Sequence, residues 1–173
     1  MQSPITANKG CVVYEEKEEK VAGGGDEESG IPAIKASYII SEFPVTIPQQ
    51  KAPTDKPNPK IGVGLLGWSL DNKYLATRND NMPNAVFIWD IARLELAAVL
   101  LQKDAVRRLQ WSPARVQLAF CTANSRVYTW TPEGASCVHI PLENFSALDV
   151  KWSPNGNAFV LTDKDRFTVS YVD

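Results

Sequence analysis

At 173 residues and 44% hydrophobic, the chain holds enough apolar material for one ordinary domain and not for a larger assembly of domains. Its 18 Lys and Arg against 20 Asp and Glu leave a net charge of -2, so composition offers no concentrated basic face of the kind that attracts nucleic acid. Apolar runs such as Leu94 to Leu101 fall far short of the roughly 20 residues that cross a bilayer, residues 1 to 10 lack a signal peptide's apolar centre, and Cys11, Cys121 and Cys137 contain no Cys-x-x-Cys pair, which argues against a disulfide framework or zinc site and for a reduced intracellular compartment.

Residues 1 to 60 read as an irregular connecting segment, acidic and rich in Gly and Pro. The run Glu15-Glu16-Lys17-Glu18-Glu19-Lys20 leads through Gly23-Gly24-Gly25 to Asp26-Glu27-Glu28-Ser29, too little apolar surface to offset the entropy of ordering, and is expected to be a mobile loop or tail. Two short strand-like pieces flank it, Gly10 to Tyr14 and Ser37 to Phe43. Pro44, Pro48, Pro53, Pro57 and Pro59 then hold the chain extended and keep it out of a central sheet position.

From Ile61 onward, apolar runs of strand length alternate with turn chemistry, which predicts an all-β arrangement in three units, 61–103, 104–144 and a partial 145–173. The first unit has expected strands at Gly62 to Ser69, Tyr74 to Arg78, Ala85 to Asp90 and Leu94 to Leu101. The second has them at Val106 to Ser112, Val116 to Cys121, Arg126 to Thr131 and Cys137 to Leu142. The third has Leu148 to Ser153, Ala158 to Thr162 and Phe167 to Val172. Cys121 and Cys137 fall inside strands as small buried hydrophobes.

Two aromatic series keep the same period. Trp68, Trp111 and Trp152 each open a Trp-Ser-x turn at separations of 43 and 41 residues, and Trp89, Trp130 and Tyr171 follow at 41 and 41. Pro113 and Pro154 supply the fixed φ of a first turn position, and Gly156 can take φ > 0 before the chain reverses. With the dipeptide Trp89-Asp90 closing a third strand, these residues resemble a WD-repeat propeller over residues 61 to 173, whose blades repeat about every 40 to 45 residues with four strands each. Typical repeats carry a Gly-His pair whose imidazole joins a buried network with Asp, Ser or Thr, and Trp; no unit here has that histidine, and His139, the single histidine, lies in an outer strand. Thr77, Thr122 and Thr162 lie near the hydroxyl position and Asp80, Asn124 and Asp165 near the acid, so parts of that network are expected to persist, while the missing histidine makes the blades rely more on apolar packing and leaves the indole N–H groups needing other acceptors.

Ile61-Gly62-Val63-Gly64-Leu65-Leu66 and the run from Tyr74 to Ile91 are more individual, and are similar to the C-terminal part of a family of centrosomal WD-repeat proteins encoded antisense to a tumour-protein gene. The resemblance implies a non-enzymatic adaptor at spindle poles, in the cytoplasm and cytoskeleton, acting with a coiled-coil microtubule-anchoring protein. The competing readings are a WD-repeat adaptor of a ubiquitin-ligase or RNA-processing complex and, more remotely, a propeller hydrolase.

Residues able to carry chemistry are few. His139 beside Pro141 makes no His-based metal site, no Ser or Cys stands in a nucleophile context, and Gly23-Gly24-Gly25 lacks the Gly-Lys-Ser/Thr of a phosphate loop, so no catalytic, metal or cofactor residue is expected. Candidate partner-binding residues are Arg78, Asn79, Asp80 and Asn81, in a loop longer than its counterpart in the second unit. Arg107 and Arg108 are a second candidate; on one strand they would point to opposite faces, and an adjacent blade could supply an acid. Because a closed propeller needs at least about four blades, the chain is expected to expose apolar blade faces and to be completed by N-terminal blades of a longer protein.

Overall fold

The alternating segments become strands, and the Trp-Ser-x turns explain why they reverse where they do. The computed structural model describes residues 10–21 and 33–172. Its first blade is an antiparallel meander of β3 (Val63–Trp68), β4 (Tyr74–Asn79), β5 (Ala85–Asp90) and β6 (Glu95–Leu101). The second is β7 (Arg108–Trp111), β8 (Leu118–Cys121), β9 (Arg126–Thr131) and β10 (Gly134–His139), and the third is β11 (Asp149–Trp152), β12 (Ala158–Thr162) and β13 (Phe167–Tyr171). In the turn after β3, the Ser69 hydroxyl donates to Asp71 Oδ1 at 2.7 Å and accepts from the Tyr74 amide at 2.9 Å. Ser153 does the same work after β11, donating to Asn155 Oδ1 and accepting from the Ala158 amide at 3.1 Å, while Gly156 takes φ 68°. The serines following Trp68 and Trp152 are thus local caps for their hairpins.

The expected outer strand Cys137 to Leu142 is a correction: β10 starts at Gly134 and ends at His139. Pro132 and Glu133 alone reverse the chain, so Gly134 pairs with Thr131 and the whole strand begins three residues earlier. Ile140 leaves the ladder, its amide bonded to the Ser125 carbonyl at 2.9 Å, and is buried against the third blade.

Residues before 61 differ more from expectation. The run Glu15 to Lys20, expected as a loop, lies inside β1 (Val12–Val21), which pairs antiparallel with β2 (Ala33–Ser41) and parallel with β6. Blade 1 therefore becomes a six-stranded sheet in the order β2-β1-β6-β5-β4-β3. Two paired edges supply the backbone bonds that composition alone could not foresee, and alternation sends Glu16 and Glu18 toward a counter-charge on blade 2. The glycine run and Asp26 to Ser29 lie outside the described residues.

Three apolar layers hold the blades. Ala76, Val86, Ile88 and Leu100 of blade 1 pack against Leu118, Phe120 and Tyr128 of blade 2. Ala119, Cys121 and Val127 on the opposite face of blade 2 meet Val150, Phe159 and Leu161 of blade 3. On the other side of blade 1, Phe43, Val45 and Ile47 of the Pro-rich segment cover Phe87, Val99 and Leu101. Blades here are layers of one stack, each buried by its neighbours.

Candidate functional site

The two tryptophan series have separate tasks. Trp111 Nε1 donates to the Gly67 carbonyl at 2.8 Å, and Trp152 Nε1 donates to the Gln110 carbonyl at 2.9 Å. In both cases the acceptor is the residue just before the tryptophan of the preceding blade, so this indole stitches inner strand to inner strand. Trp89 Nε1 instead bonds Thr77 Oγ1 within its own blade at 3.0 Å, and Trp130 packs edge-on against Tyr74 and Trp111. Asp90 accepts from the Arg93 amide at 3.2 Å, closing the turn beyond β5. Trp68 and Tyr171, at the two ends of the stack, are 49% and 81% exposed.

Between the inner strands of blades 1 and 2 lies a groove of about 550 Å³ whose lining includes Lys60, Leu65, Arg78, Asp80, Arg107 and Arg108. The end of β4 delivers Arg78, whose Nη1 donates to the Val106 carbonyl at 3.2 Å and whose Nη2 pairs with Asp80. Gly64 makes room for that pair, because a Cβ there would run into Asp80 Oδ1 and Arg78 Nη2. Asn79 and Asn81 do not line the groove. Asn79 Oδ1 accepts from the Asn81 amide at 3.4 Å, and the Asn81 carbonyl accepts from the Gln50 amide at 2.7 Å, so both close the loop and tie it to the Pro-rich segment.

Arg107 and Arg108 do not share one strand, because only Arg108 belongs to β7. β7 begins at Arg108, and Arg107 sits just before it, its amide bonded to the Cys121 carbonyl; both residues are exposed and border the groove. Arg108 Nε lies 3.9 Å from Asp149 Oδ1 on blade 3, a weak exposed contact. The structure thus gathers Arg78, Asp80, Arg107 and Arg108 around one groove and leaves Asn79 and Asn81 outside it.

A second polar cluster, missed in the sequence, lies where the β1–β2 hairpin crosses onto blade 2. Glu16 is 1% exposed; its Oε1 accepts from Arg126 Nη1 at 2.8 Å and from the Tyr128 hydroxyl at 2.7 Å, and its Oε2 from the Lys103 amide at 2.8 Å. Arg126 Nη2 reaches Glu18 at 2.6 Å. Burial acts to lower the guanidinium, but its bonds to Glu18, Tyr128 and Glu16 win and raise it. Burial also raises the Tyr128 hydroxyl, keeping it a donor. Nearby, His139 Nε2 accepts from the Ala36 amide at 3.2 Å, tying β2 to β10. The spacing Tyr14, Glu16, Glu18 was the available signal: three polar or aromatic side chains on one strand face.

Thiol chemistry is disfavoured. Burial pushes Cys121 up to about 12 and Cys11 and Cys137 up to about 11, which holds all three protonated. Among the described residues no group of three or more His, Cys, Asp or Glu is placed to hold a metal ion.

No family model matches the chain. It is 41% identical over 140 residues to the WD repeat-containing protein WRAP73 of Mus musculus, an alignment covering 80% of this chain and 30% of that protein. The chain belongs to the WD-repeat propeller family. An uncharacterised WD repeat-containing protein of Schizosaccharomyces pombe is 23% identical over 141 residues, covering 70% of this WD-repeat chain and 29% of that one. Among solved structures, a chain of the mitotic checkpoint complex superposes with a TM-score of 0.51 at 17% identity, covering 79% of this chain and 42% of its own. The C-terminal WD40 domain of Sif2 gives 0.54 at 12%, covering 64% and 34%. These two share the fold. The WD-repeat arc spans under a third of the length of the curated relatives it matches.

Proposed function

We propose that this WD-repeat chain is a protein-interaction scaffold, part of a centrosomal or spindle-pole adaptor in the cytoplasm, whose partners include a coiled-coil microtubule-anchoring protein. The observation that carries the scaffold reading is the groove between blades 1 and 2, where two separately encoded basic elements converge on a sheet edge. The pole reading is supported by the resemblance of residues 61 to 91, and the scaffold reading by the 41% identity to the mouse WD repeat-containing protein. In this reading the open faces at Trp68 and Tyr171 are covered by further blades of the longer protein.

A fluorescently tagged full-length protein in dividing cells tests the location. Enrichment at both poles through mitosis is expected, together with co-purification of a coiled-coil microtubule-anchoring protein. Diffuse or nuclear signal without pole enrichment would remove the centrosomal reading and leave an adaptor of another complex.

A further inference from the structure

We infer that the groove between blades 1 and 2 is a docking site for an acidic peptide segment of a partner protein, a proposal that rests on the scaffold reading and names the partner's chemistry. The groove is a local reversal of the chain's charge. The whole chain carries -2, yet this groove gathers Lys60, Arg78, Arg107 and Arg108 against a single lining acid, Asp80. Asp80 is already committed to Arg78. That leaves three cations, and among the described residues neither Lys60 nor Arg107 has a carboxylate within ion-pair distance. Arg108 has only the loose contact to Asp149.

The fixed and free charges divide by position. Arg78 and Asp80 are the half-buried pair, their side chains 16% and 17% exposed, and Arg78 is further held by the Val106 carbonyl. They shape the wall. Lys60, Arg107 and Arg108 stand exposed at the rim, where a guanidinium can take a carboxylate with two parallel hydrogen bonds. Ile61 and Leu65 give the groove apolar wall as well, with Ile61 67% exposed. Low-dielectric walls strengthen a cationic rim's attraction for an incoming anion.

A peptide fits this mixture better than a nucleic acid. A phosphodiester backbone is matched by a long run of cations along a face, and these three charges occupy one groove with exposed aliphatic surface beside them. Alternating carboxylate and aliphatic side chains of an extended segment would answer both features: carboxylates at Lys60, Arg107 and Arg108, and an aliphatic group over Ile61 and Leu65.

The test is fluorescence anisotropy of the 173-residue chain with a labelled octapeptide alternating Glu and Leu. Its Gln-for-Glu counterpart and a single-stranded oligonucleotide of matched length serve as competitors. Binding of the Glu peptide, weakened by added salt and absent for the Gln peptide, is expected. Arg107→Glu and Lys60→Glu should each lower affinity by about fivefold, the scale of one exposed ion pair. Lys164→Glu, at the exposed turn before β13 and away from the groove lining, should leave affinity unchanged. Both rim residues are exposed, so unchanged thermal midpoints are expected for all three variants, and Lys60→Glu alone decides the matter should Arg107→Glu disturb folding. Equal binding of the Gln peptide, equal loss from Lys164→Glu, or stronger binding of the oligonucleotide overturns the proposal. Peptide binding that persists in a protein failing to reach the poles removes only the pole reading; pole recruitment without peptide binding removes only the groove.

Discussion

The third strands of the three blades are chemically alike and differently buried. β5 hides Ala85, Val86, Phe87 and Ile88, and β9 hides Val127, Tyr128 and Trp130, whereas in β13 Phe167 is 70% exposed and Tyr171 81%. β6 lies beside β5 and β10 beside β9, but β13 is the edge of a three-stranded sheet. The tryptophan stitches follow the same rule: Trp111 and Trp152 find a carbonyl on the preceding blade, while Trp68 faces outward at the leading end. Burial in this chain is a property of adjacency, since the same residue type at the same repeat position is core in one blade and surface in the next. Leaving a large apolar side chain exposed forgoes about 1.5–3 kcal/mol, so the two end faces are where the arc is weakest and most ready to be covered.

The most severe way to break that comparison is a matched pair of truncations. Phe120→Ala in blade 2 empties a fully buried site between two stacked blades and should cost about 3–5 kcal/mol in chemical denaturation. Phe167→Ala in blade 3 should stay within about 0.5 kcal/mol of the parent. Equal losses would mean that β13 is covered in solution, and adjacency could no longer explain the difference.

Glu16→Ala addresses the other side of the contrast, the strap that fixes blades 1 and 2 together and that blade 3 lacks. Removing the carboxylate orphans the Lys103 amide and the Tyr128 hydroxyl and leaves Arg126 with Glu18 alone, a loss of about 3 kcal/mol, at the low end for a broken buried pair because Glu18 keeps part of the neutralisation. Hydrogen exchange should speed up in β1, β2 and β9 and stay unchanged in β12. Uniform loss of protection would show that the three blades open as one unit.

That strap also marks where the sequence ceased to be legible. Strand positions in the blades could be read because period-two alternation and Trp-Ser-x turns are local signals, each complete within a few residues. Glu16 and Arg126 are 110 residues apart, and the one-face spacing of Tyr14, Glu16 and Glu18 does not say which guanidinium waits for it, so a charge-rich run reads as loop. Arg107 and Arg108 were partly legible, since an adjacent blade does offer Arg108 an acid, Asp149. The apolar pattern starts the strand at Val106, whereas β7 starts two residues later at Arg108, which leaves Arg107 outside the ladder. The groove could be named residue by residue but not assembled, because its walls come from two blades.

A gentler probe separates the stitches. Trp152→Phe keeps an aromatic ring while deleting the indole N–H to the Gln110 carbonyl, and should cost about 1 kcal/mol, the net value of a partly buried hydrogen bond. Trp68→Phe, exposed at the leading face, should change stability by less than about 0.5 kcal/mol in this chain. A second preceding blade, supplied as the longer protein, should make the two substitutions equivalent, because Trp68 would then meet the carbonyl that Trp111 and Trp152 already have.

The smallest expected effect is a pH dependence confined to the strapped half. Burial lowers the His139 imidazole below its ordinary value and the Arg126 guanidinium lowers it further, against the opposing pull of Glu16 and Glu18. A lowered folded value means that the folded chain binds fewer protons than the unfolded one, so the contribution is intact above the unfolded value near 6.5 and is lost as pH falls from there through the folded value. Protonation also removes Nε2 as the acceptor for the Ala36 amide, so the same step loosens β2 from β10. Asp71 and Asp163 are lowered from ordinary carboxylate values, and their contributions disappear only at more acidic pH, which keeps the two windows apart. Between pH 7 and pH 5 the thermal midpoint should fall slightly and reversibly, with exchange rising at Ala36 and its neighbours in β2 but not in β12 or β13. His139→Gln, which retains an acceptor and cannot titrate there, should flatten that slope; an undiminished slope in the variant would assign the pH response to groups outside the strap.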